Sequence, residues 1–136
     1  MAGGRGMRLH PLTEKLPKPM LQVGTKPMLQ GVIEGLVGQG FPDIILAVHY
    51  KAKLIEGYFG DGSQFNANIK YIHEKKPLGT AGALRLLPTL KGSVIVANAD
   101  IITDVDYNDL MRFHNDSGTL ATICLALHQY QVPFGV

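Results

Sequence analysis

The chain has 136 residues, 46% of them hydrophobic and 18% charged, and its 13 Lys and Arg against 11 Asp and Glu leave a net charge of +2. That length suits one domain with a substantial core, and the charge balance lacks the basic face of a nucleic-acid binder. No apolar run approaches the ~18 residues of a membrane-spanning helix, and a single cysteine excludes a disulfide framework.

The chain opens on Ala2-Gly3-Gly4-Arg5-Gly6-Met7-Arg8-Leu9. Three glycines in four positions free the backbone for positive φ and for close approach to a ligand. Backbone N–H groups of such a turn form an anion-binding concavity. Arg8 adds a planar fork that fits phosphate oxygens, and Lys18 adds a mobile point charge. Together they suit a polyphosphate. Two familiar phosphate motifs are absent: no Gly-Lys-Ser/Thr occurs, and Leu9 stands where a dinucleotide fingerprint needs its last glycine. On pattern alone, a disordered glycine-rich terminus stays open. A phosphate loop of this type follows a buried strand at the carboxyl edge of a sheet. No apolar run precedes Ala2, so the expectation is a chain that starts after that strand, or with Met1 as its last residue.

Next, Met20-Leu21-Gln22-Val23 reads as extended and Gly24-Thr25-Lys26 as a turn. Pro27 is placed as the first helical residue. Met28, Leu29, Val32, Ile33, Leu36 and Val37 follow helical spacing, and Gly38 and Gly40 end the helix. Asp43-Ile44-Ile45-Leu46-Ala47-Val48 reads as a strand buried on both faces. Residues 51–59 read as a helix with Leu54, Ile55, Tyr58 and Phe59 inward, and residues 60–63 as a turn. Residues 68–74 alternate as a strand does, with Ile69, Tyr71 and His73 on one side. Residues 80–87 read as a short helix and Val94-Ile95-Val96-Ala97 as a buried strand. Asp106 caps a helix running to about residue 116, and residues 120–127 form a last strand. Cys124 lies in this apolar run and is expected to be buried and inert. The histidines, His10, His49, His73, His114 and His128, are not paired at ligand spacing, so no zinc site is assigned. Alternating strands and helices predict an α/β, Rossmann-like fold with a mostly parallel sheet and helices on both faces.

Ligands of such sheets bind beyond the carboxyl ends of the strands, which selects two more segments. Glu74-Lys75-Lys76-Pro77-Leu78-Gly79-Thr80 follows a strand and opens a helix. At Gly79 a flat base can lie against the backbone, and Glu74 can accept hydrogen bonds from base N–H donors. Guanine, with adjacent N–H donors, suits such a carboxylate better than thymine. A plain strand-to-helix loop capped by Thr80 is the alternative. Asn98-Ala99-Asp100 ends the expected strand Val94-Ile95-Val96-Ala97. A carboxylate there, facing a phosphate loop, is a Mg²⁺ ligand candidate; Thr103, Asp104 and Asp106 read as caps.

Ala2-Gly3-Gly4-x-Gly6-x-Arg8-Leu9-x-Pro11-Leu12-Thr13, followed by Pro17-Lys18-Pro19-Met20, resembles the signature of the sugar-1-phosphate nucleotidyltransferases, or nucleotide-sugar pyrophosphorylases, and in particular of members that guanylylate mannose-1-phosphate. The family usually has Thr where Met7 stands. Residues 77–82 resemble its nucleoside-contacting Pro-Leu-Gly-Thr-Ala-Gly. Ala99-Asp100 resembles its metal-binding Gly-Asp, with a methyl added at residue 99. Pro133-Phe134-Gly135-Val136 resembles its Tyr-Gly-Val, which implies a sugar contact at Gly135. The resemblance implies a nucleotide-diphospho-sugar-transferase fold, of which residues 1–136 are the nucleotide-binding part, lacking the first strand and the C-terminal sugar-binding half. It implies a reaction of a nucleoside triphosphate, GTP being the favoured one, and a sugar-1-phosphate, giving a nucleotide sugar and pyrophosphate. Arg8 and Lys18 would be catalytic. Ala2, Gly3, Gly4, Gly6, Glu74 and Gly79 would bind nucleotide, and Asp100 would bind Mg²⁺. The expected setting is the cytoplasm, away from membranes and nucleic acid, with room for a homo-oligomer. The rival readings are a non-catalytic, nucleotide-sugar-binding regulatory subunit of the same fold, a cytidylyltransferase with a phosphocholine-type acceptor, and a plain interaction domain with a glycine-rich arm.

Overall fold

The computed structural model describes residues 1–4, 6–76, 78–79, 81–127 and 129. Its centre is a parallel pair of strands, β3 (Asp43–Val48) and β4 (Asn68–His73), in register from Asp43↔Asn68 to Val48↔His73. Ahead of them, β1 (Gln22–Val23) and β2 (Lys26–Pro27) form a small antiparallel hairpin that turns at Gly24. Helix α1 (Met28–Gly38) follows β2, and α2 (Ala52–Phe59) crosses over between β3 and β4, as a parallel pair requires. Helix α3 is Tyr107–Ser117.

The core is one cluster in which α1 supplies Leu29 and Ile33, β3 Leu46 and Val48, α2 Ile55 and Phe59, and β4 Ile69. Ile33, Val48, Ile55 and Phe59 are each 0% exposed. The i, i+4 pairs Leu29/Ile33 and Ile55/Phe59 are what helical spacing brings to one face. Gly62 closes the turn before β4 at φ +89°, where a Cβ would lie 2.6 Å from Ile69 Cγ1 and 2.8 Å from the Ala67 carbonyl. Only glycine fits there.

Several expectations are corrected. Pro27 is not helical: it pairs with Gln22 in the hairpin at ψ 146° and stands just before α1. Leu54 and Tyr58 are exposed, because the buried stripe of α2 is as narrow as Ile55 and Phe59; the Tyr58 hydroxyl instead reaches Gln30 Oε1 at 2.8 Å. The helix expected over 80–87 is a 3-10 turn over Gly82–Leu86. Residues 94–97 form no strand. Their backbone bonds, among the described residues, run only to Met1, and an apolar cavity of about 660 Å³ separates them from β3, lined by Ile44, Leu46, Val94 and Val96. Residues 120–127 form no strand either, and Leu120, Ile123, Leu125 and Leu127 stand 79–104% exposed. A strand is defined by its ladder partner, and no described residue supplies one to 120–127. For the same reason Cys124 is exposed rather than buried.

The cap on α3 is as expected: Asp106 accepts from the Asp109 N–H at 2.9 Å. Gln39, just after α1, fixes the start of α3 by accepting from the Tyr107 N–H and donating to the Val105 carbonyl. Among the described residues no helix is long and apolar enough to cross a membrane.

Truncating the largest fully buried side chain among the described residues should weaken the fold sharply. Phe59→Ala should cost about 3–5 kcal/mol in urea unfolding, whereas Phe113→Ala, on the exposed face of α3, should change stability by less than about 0.5 kcal/mol.

Candidate active site

The site begins with three backbone bonds. The Ala2 N–H donates to the Ala47 carbonyl at the end of β3, at 2.8 Å. The Met1 nitrogen donates to the Ala97 carbonyl at 2.9 Å, and the Met1 carbonyl accepts from the Ala99 N–H at 3.0 Å. The start of the glycine loop is thereby wedged between the carboxyl end of β3 and the run that leads to Asp100. On the other side of β3, the Glu74 N–H donates to the Val48 carbonyl at 2.9 Å. Glycine loop, Glu74 and Asp100 thus meet at one sheet edge.

Gly3 and Gly6 each have their own reason. A Cβ on Gly3 would sit 3.0 Å from Glu74 Oε1 and 3.3 Å from His49 Cβ. Gly3 is therefore where the buried Glu74 carboxylate lies against the loop. Gly6 adopts φ +63°, and a Cβ on it would be 2.9 Å from Thr13 Cγ2 and 3.1 Å from Lys18 Cβ. The loop folds over these two side chains. Thr13 is buried, and its hydroxyl donates to the Gly6 carbonyl at 3.0 Å. The same carbonyl accepts from the Leu9 N–H at 2.9 Å, closing the 3-10 turn Met7–Leu9 that carries Arg8.

Residues after β3 brace this arrangement from below. The Tyr50 hydroxyl donates to the Thr13 carbonyl at 3.3 Å, and Lys51 Nζ donates to the carbonyls of Glu14 and Lys15. The His49 Nδ1–H donates to the Glu74 carbonyl at 2.7 Å. The family signature contained Thr13, but Lys51 is expected only as the start of a helix, His49 only as one of the scattered histidines, and Tyr50 carries no expectation. The signal for them is positional: a His-Tyr-Lys run directly beyond the carboxyl end of a buried strand.

Lys18 is set between buried Pro17 and buried Pro19, and its Nζ lies 2.5 Å from Asp100 Oδ2, with the two side chains 32% and 28% exposed. Glu74 Oε2 accepts from the Leu78 N–H at 3.1 Å and so shapes the loop leading to Gly79. Gly79 is exposed at φ +79°, with nothing within 4 Å of the position a Cβ would take. The structure therefore ties together Ala2, Gly3, Gly6, Lys18, Glu74 and Asp100. Arg8, Gly4 and Gly79 stand exposed on adjoining turns and enter none of these contacts. Gly135 lies outside the described residues, as does Thr80. Ala99, whose methyl is extra relative to the signature, is buried in the core cluster. Among the described residues no three metal-ligating side chains converge.

The whole chain, residues 1–136, matches the family model described as nucleotidyl transferase. The chain belongs to the nucleotidyl transferase family. The chain is 37% identical over 141 residues to a mannose-1-phosphate guanyltransferase of Hypocrea jecorina, and equally to the mannose-1-phosphate guanylyltransferase catalytic subunit beta of Danio rerio. Each match covers 100% of this chain and 39% of the relative. The chain thus spans about two fifths of the length of these curated relatives. Among solved structures, HddC from Yersinia pseudotuberculosis, crystallised with GMP-PN, matches with a TM-score of 0.71 and 34% identity, over 85% of this chain and 52% of that one. A glucose-1-phosphate thymidylyltransferase described as putative, from Bacillus anthracis, matches with a TM-score of 0.59 and 31% identity, over 62% of this chain and 35% of that one. The α/β fold of this nucleotidyl transferase is that of the nucleotide-diphospho-sugar transferases, as its signature implied.

Because Thr13 holds the turn at Gly6 by one buried hydroxyl, Thr13→Val should lower stability by about 1 kcal/mol and Thr13→Ser should retain most of it. Gly6→Ala should cost more, about 1–3 kcal/mol, from backbone strain and the close Thr13 methyl. Urea denaturation of the three variants checks the order.

Proposed function

We propose that residues 1–136 carry the nucleoside-triphosphate site of a sugar-1-phosphate nucleotidyltransferase, with GTP as the favoured triphosphate. The observation that carries this reading is the convergence of Gly3 and Gly6, Lys18, Glu74 and Asp100 at one sheet edge. The family, the guanylyltransferase relatives and the GMP-PN complex of HddC support it.

In this reading the backbone amides near Gly3, Gly4 and Gly6 bind the triphosphate. Arg8, exposed on its turn, takes charge that develops on the transferring and leaving phosphates, and Lys18 holds the α-phosphate or the sugar phosphate. A sugar-phosphate oxygen attacks the α-phosphorus in line. The new oxygen–phosphorus bond forms as the bond from the α-phosphorus to the bridging oxygen breaks, and pyrophosphate leaves with that electron pair. No covalent enzyme intermediate is needed, so catalysis is positioning and charge stabilisation. The base lies on exposed Gly79, and Glu74 both shapes that loop and favours the adjacent N–H donors of guanine. The sugar contact falls to Gly135.

The donors present fit Mg²⁺. Asp100 is a half-buried carboxylate that already accommodates a cationic group, and Mg²⁺ takes one or two carboxylates together with phosphate oxygens. When bound, it supplies charge neutralisation and a template for the phosphates. Asp100 would hold it. The proposed setting is the cytoplasm, where the exposed Cys124 stays reduced. The regulatory-subunit alternative loses one of its supports, since the Ala99 methyl packs into the core.

A thermal-shift panel of GTP, dTTP, UTP, CTP and ATP, each with and without Mg²⁺, tests the reading. GTP with Mg²⁺ should raise Tm most, and Glu74→Gln should reduce that preference. A cooperative melt that no triphosphate moves contradicts it. In a pyrophosphate-release assay of the protein that carries this domain, Arg8→Ala should lower turnover on the order of 10²–10³-fold.

A further inference from the structure

Lys18 and Asp100 have roles in the proposed function that their own contact excludes. The ammonium is needed on phosphate and the carboxylate on a metal ion, yet Nζ lies 2.5 Å from Oδ2. Both backbones are fixed. Lys18 follows buried Pro17 and precedes buried Pro19, and its Cβ lies against Gly6. Asp100 follows Ala99, whose N–H is bonded to the Met1 carbonyl. The pair is thus set by packed backbone on both sides, unlike two long side chains meeting on an open surface. Among the described residues Lys18 has no other ion-pair partner, and neither has Asp100.

We propose that Lys18 is a built-in counter-cation that holds Asp100 until the divalent ion arrives, and that displacement of its ammonium frees it for phosphate. This rests on the reading of Asp100 as the metal residue. The consequence is a coupling. Metal alone must compete with Lys18 and binds weakly. A triphosphate draws the ammonium off the carboxylate and so strengthens metal binding, and by reciprocity the metal strengthens triphosphate binding. The pair thereby favours loading of a metal–nucleotide complex over either part alone.

Mn²⁺ serves as the probe, its free concentration read by electron paramagnetic resonance on the 136-residue chain without nucleotide. Lys18→Met should tighten Mn²⁺ about three- to fivefold, and it should shrink the gain in Mn²⁺ affinity that GTP produces in the unaltered chain. Lys15→Met, which removes an equal charge from an exposed site, should leave Mn²⁺ affinity unchanged. Equal tightening by Lys15→Met, or none by Lys18→Met, overturns the proposal. Asp100→Asn separates the two levels: Mn²⁺ binding that survives it removes the reading of Asp100 itself. A measurement on the unaltered sequence guards against misfolded variants. With lysines ¹³C-methylated, the Lys18 signal should move on adding Mg²⁺ alone, and a Lys18 signal that stays fixed at saturating Mg²⁺ also overturns the proposal.

Discussion

Everything at the candidate site depends on the way Met1 and Ala2 are clamped. Ala2 bonds to Ala47, and Met1 bonds to Ala97 and Ala99. Each bond contributes about 1 kcal/mol net, but their geometric effect is larger than that sum. They fix where the glycine loop leaves the sheet, and they set the run ending at Asp100 beside it. Without this bridge residues 94–97 would have no backbone partner among the described residues, and the Lys18–Asp100 pair would lose one of its two fixed ends.

From that clamp the loop is shaped by contacts that leave no room for side chains. Gly3 yields its space to Glu74, and Gly6 yields its space to Thr13 and Lys18. The braces at Tyr50 and Lys51 then hold the segment between the two cations, so Arg8 and Lys18 sit on a supported turn rather than on a loose terminus. Two negative groups, Glu74 and Asp100, flank an otherwise cationic, amide-rich edge. That mixture suits a metal-bound polyphosphate better than a bare anion, because the carboxylates would repel the latter.

The meeting of Gly3, Gly6, Lys18, Glu74 and Asp100 at one edge was legible from residue type and position: glycines where the backbone is crowded, and carboxylates at the ends of two apolar runs. The helices α1 and α3 and the strands β3 and β4 were legible from periodicity and capping. What escaped was whatever depends on neighbours. Val94 and Val96 have a strand's composition but no ladder. Leu120, Ile123 and Leu125 have it too, and stand exposed. Leu54 and Tyr58 fit helical spacing, yet only Ile55 and Phe59 face the core. Tyr50 and Lys51 brace a loop more than thirty residues earlier in the chain; their place just beyond β3 marks them as site neighbours, but no local pattern names the partners they reach.

The central claim is that the glycine loop, the Glu74–Gly79 segment and Asp100 form a single metal–triphosphate face. Amide chemical-shift mapping of the ¹⁵N-labelled chain, titrated with GTP and Mg²⁺ together, measures this most directly. The account predicts the largest shifts at Gly3, Gly4, Gly6, Gly79 and Asp100, with α3 unaffected. Shifts confined to α3 and residues 120–127, with the glycine loop silent, would contradict it.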